Sequence, residues 1–141
     1  MSFTTRTLRD TAMGSAGASG GTVTVLVNID DDTTATNAIL DASALNGHAH
    51  GAKLHISRLW WGLVQGTAND DTGHAAIIEQ GASSDVTLID LAGSGHYDGS
   101  AGLIKSAATN TTATSGDMEL SCQGTSGFVL IEFKKDENYT A

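Results

Sequence analysis

The chain has 141 residues, 40 % apolar and 5 % aromatic, with 17 glycines, no proline and a net charge of −9 from 16 acidic and 7 basic side chains. That length suits one domain with a modest extension, able to bury about two-thirds of the surface its unfolded chain exposes. The acidic balance repels phosphate backbones and argues against nucleic acid as a partner, and no apolar run approaches the ~18 residues that a membrane span needs.

Residues 1–21 begin MSFTTRTLRD and end in the Gly- and Ser-rich MGSAGASGG. Such a stretch is linker-like and orders when something outside the domain holds it. It carries Arg6, Arg9 and Asp10, a net of +1, which leaves −10 for the remaining 120 residues. A basic leading segment on an acidic body predicts an extended arm over 1–21 that meets an acidic neighbour, such as another copy of the chain. Phe3, Arg6, Leu8 and Arg9 are its expected contact residues. The opening residues hold no apolar stretch of the signal-peptide kind, so synthesis and retention in a cytoplasm, or assembly there, is expected.

Residues 22–141 are expected to form the domain. Thr22–Ile29 alternates, with Val23, Val25, Val27 and Ile29 on one face, and Asp30, Asp31 and Asp32 end it. Ala38–Leu45 is a short helix or an irregular strand, with strand preferred, and Asn46-Gly47 signals a turn. Within Lys53–Gln65, Leu54 and Ile56 share one parity whereas Leu59, Trp61 and Leu63 share the other. Apolar alternation cannot change parity inside a regular strand without turning its core face to water. Either a β-bulge near Ser57-Arg58 or a strand passing between two packing environments is therefore expected. Gly66–Gly73 reads as a polar hairpin loop.

Five further strands are predicted at Ala75–Glu79, Val86–Leu91, Ala101–Lys105, Asp117–Cys122 and Phe128–Phe133. In the last, Val129, Ile131 and Phe133 point one way and Phe128, Leu130 and Glu132 the other, the pattern of a central strand buried on both sides; the charged Lys134–Asn138 stops it. Eight strands with turn residues between them, and no βα alternation, predict an all-β fold. Its form is a two-sheet antiparallel β-sandwich, jelly-roll-like, with the extended N-terminal arm.

Several constellations invite chemistry and are better explained without it. His48 and His50 could chelate from a strand, with His55, His74 and His96 elsewhere, but they fall in a predicted loop with no Cys or carboxylate at ligand spacing. Asp30–Asp32 and Asn69-Asp70-Asp71 lack the calcium-loop pattern and suit solvated turns. Gly93–Gly99 lacks the third glycine and the helix of a dinucleotide loop, and reads as a tight connection between strands. Ser, His and Asp can be grouped into a triad on paper, but no nucleophile elbow is present. Cys122 is the only cysteine, so no internal disulfide forms, and beside Met118 and Leu120 it reads as a small core residue. No catalytic, cofactor-binding or metal-ligating residue is expected. Trp60 and Trp61 are adjacent and so face opposite ways. One belongs to the core and the other to the outer face, where a subunit contact, cover by a loop or the arm, or a sugar would account for it.

An ordered string of short features runs through residues 54–135: Ile56-Ser-Arg-Leu-Trp60, Ile78-Glu79 with Ser84-Asp85, and Leu91-Ala-Gly-Ser-Gly-His-Tyr-Asp98. Gly102-Leu-Ile104, Gly116-Asp-Met-Glu-Leu120 and Val129-Leu-Ile-Glu-Phe-Lys134 complete it. In these features the chain resembles tailed-bacteriophage virion structural proteins of the capsid decoration or cement type. The resemblance implies a β-sandwich without catalytic residues that sits on the capsid surface across subunit junctions. Its implied partners are the major capsid protein and copies of itself, a homotrimer suiting threefold sites. The alternative is a head-fibre or tail-associated module that binds host-surface glycans or acts as an adaptor. An enzyme, for instance a hydrolase using a His/Asp set, would need buried titratable residues clustered in a cleft.

Overall fold

The computed structural model describes residues 2–11, 21–30, 36–45, 54–66, 73–80, 84–106 and 116–135. Among them are nine strands: β1 Ser2–Asp10, β2 Thr22–Asp30, β3 Asn37–Leu40, β4 Leu54–Gln65, β5 His74–Glu79, β6 Val86–Ala92, β7 Ser94–Tyr97, β8 Met118–Ser121 and β9 Thr125–Lys135. They form a five-stranded sheet in the order β1-β2-β9-β4-β7 and a four-stranded sheet in the order β3-β8-β5-β6. All pairings are antiparallel. The fold is thus the expected two-sheet β-sandwich. No helix among the described residues is long and apolar enough to cross a membrane.

The strand pairs are nested: β2 with β9, β3 with β8, β4 with β7, and β5 with β6. This is an antiparallel ribbon rolled into two sheets, the eight-stranded jelly roll, with β1 added beyond β2. Alternation supplies the core. Val23, Val25, Val27 and Ile29 of β2, Val129, Ile131 and Phe133 of β9, and Leu54, Ile56, Leu59 and Leu63 of β4 are buried against Ala75, Ile77, Leu91, Met118 and Leu120 of the other sheet. Each large apolar side chain so enclosed contributes about 1.5–3 kcal/mol. Cys122 is buried among them.

The parity change in β4 is a bulge: the register with β9 shifts between Ile56 and Arg58. Ser57 is the extra residue, and its hydroxyl donates to the Glu132 carbonyl at 3.0 Å and the Glu132 carboxylate at 2.9 Å. Beyond the bulge Leu59, Trp61 and Leu63 face the core.

Other segments depart from expectation for identifiable reasons. β4 and β5 lie in different sheets, so the link between them crosses the sandwich and is no hairpin; residues 67–72 lie outside those described. Ala101–Lys105 forms no strand but a single bridge, Ile104 to Ile56, with N–H···O bonds of 2.9 Å in each direction. β7 already occupies the edge of β4 from Leu59 to Gly62, leaving only the stretch near Ile56 free. β9 is central, but its outward side is not enclosed, and Phe128 is 39 % exposed, because the second sheet covers one face alone. The segment from Ala38 divides into β3 and a 3-10 turn at Ala42–Ala44. The glycine-rich connection contains β7, and only Gly93 (φ +62°) separates it from β6 in the opposite sheet. Asn46-Gly47, His48 and His50 lie outside the described residues.

Ser2–Asp10 is extended, as expected of the arm, but it is laid on its own sheet: β1 pairs with β2 from Ser2 opposite Asp30 to Asp10 opposite Val23, with a bulge at Leu8. The alternating, threonine-rich SFTTRTLRD has strand propensity that a composition-based linker reading overlooks. Its end is fastened by a buried ion pair, Lys135 Nζ donating to Asp10 Oδ1 at 2.7 Å and to the Thr11 carbonyl at 3.0 Å. Residues 12–20 lie outside the described residues.

Candidate interaction surface

The outward face of the five-stranded sheet follows from register. Arg6 stands opposite Leu26, Leu26 opposite Leu130, Leu130 opposite Trp60, and Trp60 opposite His96. One row thus crosses all five strands with three apolar side chains between two basic ends. In the next row Thr4, Asn28, Phe128, Gly62 and Ser94 stand in line. The Phe128 ring lies over Gly62, where an added Cβ would come within 2.9 Å of it.

A charged row borders this apolar stripe. Arg9, Thr24, Glu132 and Arg58 are aligned across β1, β2, β9 and β4. Arg9 and Arg58 both stand 3.8 Å from the Glu132 carboxylate and keep 54 % and 55 % of their side chains exposed. One carboxylate therefore serves two guanidinium groups. Counting outward positions, Arg6, Arg9, Arg58 and Lys134 are four of the chain's seven basic residues, and Asp30 and Glu132 are two of its sixteen acidic ones. Four less two gives this face +2, and the chain's −9 then leaves −11 elsewhere. An apolar stripe in a basic frame on an acidic molecule is suited to an acidic partner surface.

The expected contact residues fall as follows. Arg6, Arg9 and Trp60 lie on this face. Phe3 and Trp61 pack against the core instead, and Leu8, 50 % exposed, sits at the β1 bulge on the open edge. The Trp61 indole N–H donates to the Ala92 carbonyl at 3.0 Å, and its ring lies over Gly95, where a Cβ would meet it at 2.9 Å. The structure thus distinguishes the two tryptophans: both are half-buried, Trp61 facing inward against the core and Trp60 facing outward. Leu26, Phe128, Leu130 and Arg58 belong to the face although sequence reasoning did not single them out. Their parity opposite buried neighbours was the available signal.

Polar groups elsewhere bond to one another and to the backbone. Glu79, 1 % exposed, accepts a hydrogen bond from the Ser106 hydroxyl, while the Ser106 backbone N–H donates to His55 Nδ1 at 2.9 Å. Ser106 thus joins the two groups, its hydroxyl to the Glu79 carboxyl and its backbone N–H to the His55 ring. His74 Nδ1 meets Asp90 at 2.8 Å, and His96 is exposed on β7. Among the described residues no three His, Cys, Asp or Glu side chains converge as metal ligands would. Asp98 shapes the turn after β7, and the Ser100 backbone N–H and hydroxyl hold its carboxyl below the usual range. Ahead of β8, burial pushes Asp117 upward, aided by the Asp41 and Glu119 charges, against the bond it accepts from the Ala42 N–H at 2.8 Å. No family model matches this chain, and no curated protein or solved structure shows significant similarity to it.

Proposed function

We propose that this is a non-enzymatic virion structural protein, a decoration or cement protein that binds across capsid-subunit junctions and meets both the major capsid protein and copies of itself. The observation that carries this reading is the outward face of the five-stranded sheet, with Leu26, Leu130, Trp60 and Phe128 framed by Arg6, Arg9, Arg58 and Lys134. Its chemistry is that of a protein contact: apolar area for affinity, and charges of one sign to select an acidic neighbour. The resemblance in residues 54–135 supports the same reading, and jelly rolls serve in viral shells. Repetition over a shell converts a modest contact into large avidity.

The contact surface differs from a free arm. Arg6 and Arg9 contribute from within β1, so removing residues 1–20 would also strip the edge of β2 and leave Lys135 without Asp10. The test is therefore made with surface variants. Purified protein is added to empty, expanded capsids of the phage that carries it, and bound copies are counted after sedimentation. Trp60→Ser combined with Arg58→Glu is expected to abolish saturation while the circular dichroism spectrum is retained; a variant that still saturates the capsids overturns the reading.

One observation favours the glycan-binding alternative. Trp60 and Phe128 are diagonal neighbours on an open sheet face, as register places Trp60 opposite Leu130 and Phe128 opposite Gly62. Two such rings form the platform on which sugars stack. A glycan array that gives signal lost in Trp60→Ser would favour this second reading, and an array without hits removes it.

A further inference from the structure

The opposite side of the sandwich complements the face just described. On the four-stranded sheet, Ala38, Glu119, Ile78 and Thr87 form one outward row, and Ser121, Ala76 and Asp90 the next. Among the described residues these rows carry Glu119 and Asp90 and no lysine or arginine. On the inner strands β8 and β5, Glu119, Ile78 and Ser121 are half-buried and Ala76 is buried, with Ala38 on the edge strand β3. The five-stranded face differs in charge, with Trp60, Leu130 and Phe128 at its centre and Arg6, Arg9, Arg58 and Lys134 around them.

We infer that the occupant of the five-stranded face is a second copy of this chain, which docks by the outward face of its four-stranded sheet. This rests on the reading of the five-stranded face as a contact surface and names its partner. Charge selects the pairing, since two five-stranded faces would oppose Arg6, Arg9, Arg58 and Lys134 to themselves, and two four-stranded faces would oppose Glu119 and Asp90. Because the two surfaces are different and lie on opposite sides of the molecule, the contact is heterologous and builds an open stack or a closed ring.

Four strands about 4.8 Å apart and four to seven residues long, at ~3.3 Å per residue, give a footprint of roughly 19 by 17 Å. Two such footprints total roughly 650 Å², below the range of stable specific interfaces, so the association is weak in solution and gains strength where copies are held close together.

The experiment is sedimentation velocity on the full chain up to roughly millimolar concentration, where contacts of this size register. Runs at about 0.1 M and about 1 M salt compare screening lengths of about 10 Å and about 3 Å. Concentration-dependent association that weakens at least about tenfold at high salt is expected. Arg58→Glu alone and Glu119→Lys alone should each abolish it. An equimolar mixture of the two should restore it, because each retains one intact face and the altered faces are again opposite in charge. Trp60→Ser gives an independent disruption of the five-stranded face. Monomers under all conditions, association indifferent to these changes, or loss with Arg58→Glu but not with Glu119→Lys each overturn the stacking. If the protein stays monomeric while Arg58→Glu still loses capsid binding, the stacking fails and the proposed function stands.

Discussion

The buried pair of Lys135 and Asp10 offers the sharpest test of how the first strand is held. The Lys135 side chain is 0 % exposed and its ammonium lies 2.7 Å from an Asp10 carboxylate that is 23 % exposed. Removing one partner of a buried pair costs about 3–5 kcal/mol, because a desolvated charge loses its counter-ion. In Asp10→Ala the Thr11 carbonyl remains at 3.0 Å from the ammonium, and water can enter where the carboxylate was exposed. The expected cost is therefore near the lower limit, about 3 kcal/mol. At roughly 3–4 °C per kcal/mol for a chain of this length, the midpoint falls by about 10 °C. Lys135→Met removes the buried charge, keeps most of the volume and leaves Asp10 able to hydrate. Its expected cost is within about 1 kcal/mol.

Urea titration followed by tryptophan fluorescence measures both variants, with hydrogen exchange along β1 as the local readout. Asp10→Ala should accelerate exchange in β1 more than in β9, since the ion pair joins the end of the edge strand to the central one. Equal costs for the two variants, or a cost below about 1 kcal/mol for Asp10→Ala, would show that the pair behaves as a surface salt bridge and that β1 is held by its ladder alone.

Gly127 sits at φ +135°, and a Cβ there would stand 1.9 Å from the Gly62 carbonyl oxygen. Gly127→Ala should therefore cost more than about 3 kcal/mol or prevent folding, and a soluble variant with an unchanged urea midpoint would refute the close approach. Trp61→Ala, which loses core packing and the bond to Ala92, is expected to cost about 3 kcal/mol, whereas Trp60→Ser stays within about 1 kcal/mol; similar midpoint shifts would contradict the assignment of faces. Asp117 has a folded value above its ordinary 3.8, so it adds stability below the unfolded value and loses it as pH rises through the folded one. Asp117→Asn keeps an acceptor for the Ala42 N–H but cannot ionise. Its stability relative to the parent should rise as the pH goes from about 4 toward neutrality, and a difference that is flat across that range would count against it.

Local alternation made much of the core legible. Val23, Val25, Val27 and Ile29 read directly as a buried face, and the parity change near Ser57 called for a bulge or a change of packing environment, of which the structure has the bulge. The edges carried no such signal. β1 and β7 are short of buried residues, so SFTTRTLRD passed for an arm and Ser94–Tyr97 for a connection, while Ala101–Lys105 looked like a strand whose place β7 had taken. Two buried ionisable side chains were readable but passed over: Glu79 continues the inward series Ala75, Ile77, and Lys135 the series Val129, Ile131, Phe133. Their partners, Ser106 and Asp10, lie 27 and 125 residues away, beyond any local pattern.

The candidate face shows why outward residues resist prediction even when each strand is read correctly. Alternation left open which tryptophan faces outward, and the bulge at Ser57 decides it by putting Trp61 on the side of Leu59 and Leu63. What parity cannot say is which outward residues are neighbours. Arg6, Leu26, Leu130, Trp60 and His96 become one row only when the first and last strands of the roll pair and β4 joins β9 on its other side. Had β9 paired one residue out of register with β2, Val129 and Ile131 would face water and Leu130 the core, so burial of the inner side fixes the register of the outer one. The composition of the outward row is thus determined by residues that take no part in it. Substitutions on the row should alter binding while leaving the fold intact, and substitutions at Val25, Ile131 or Leu59 should destroy both.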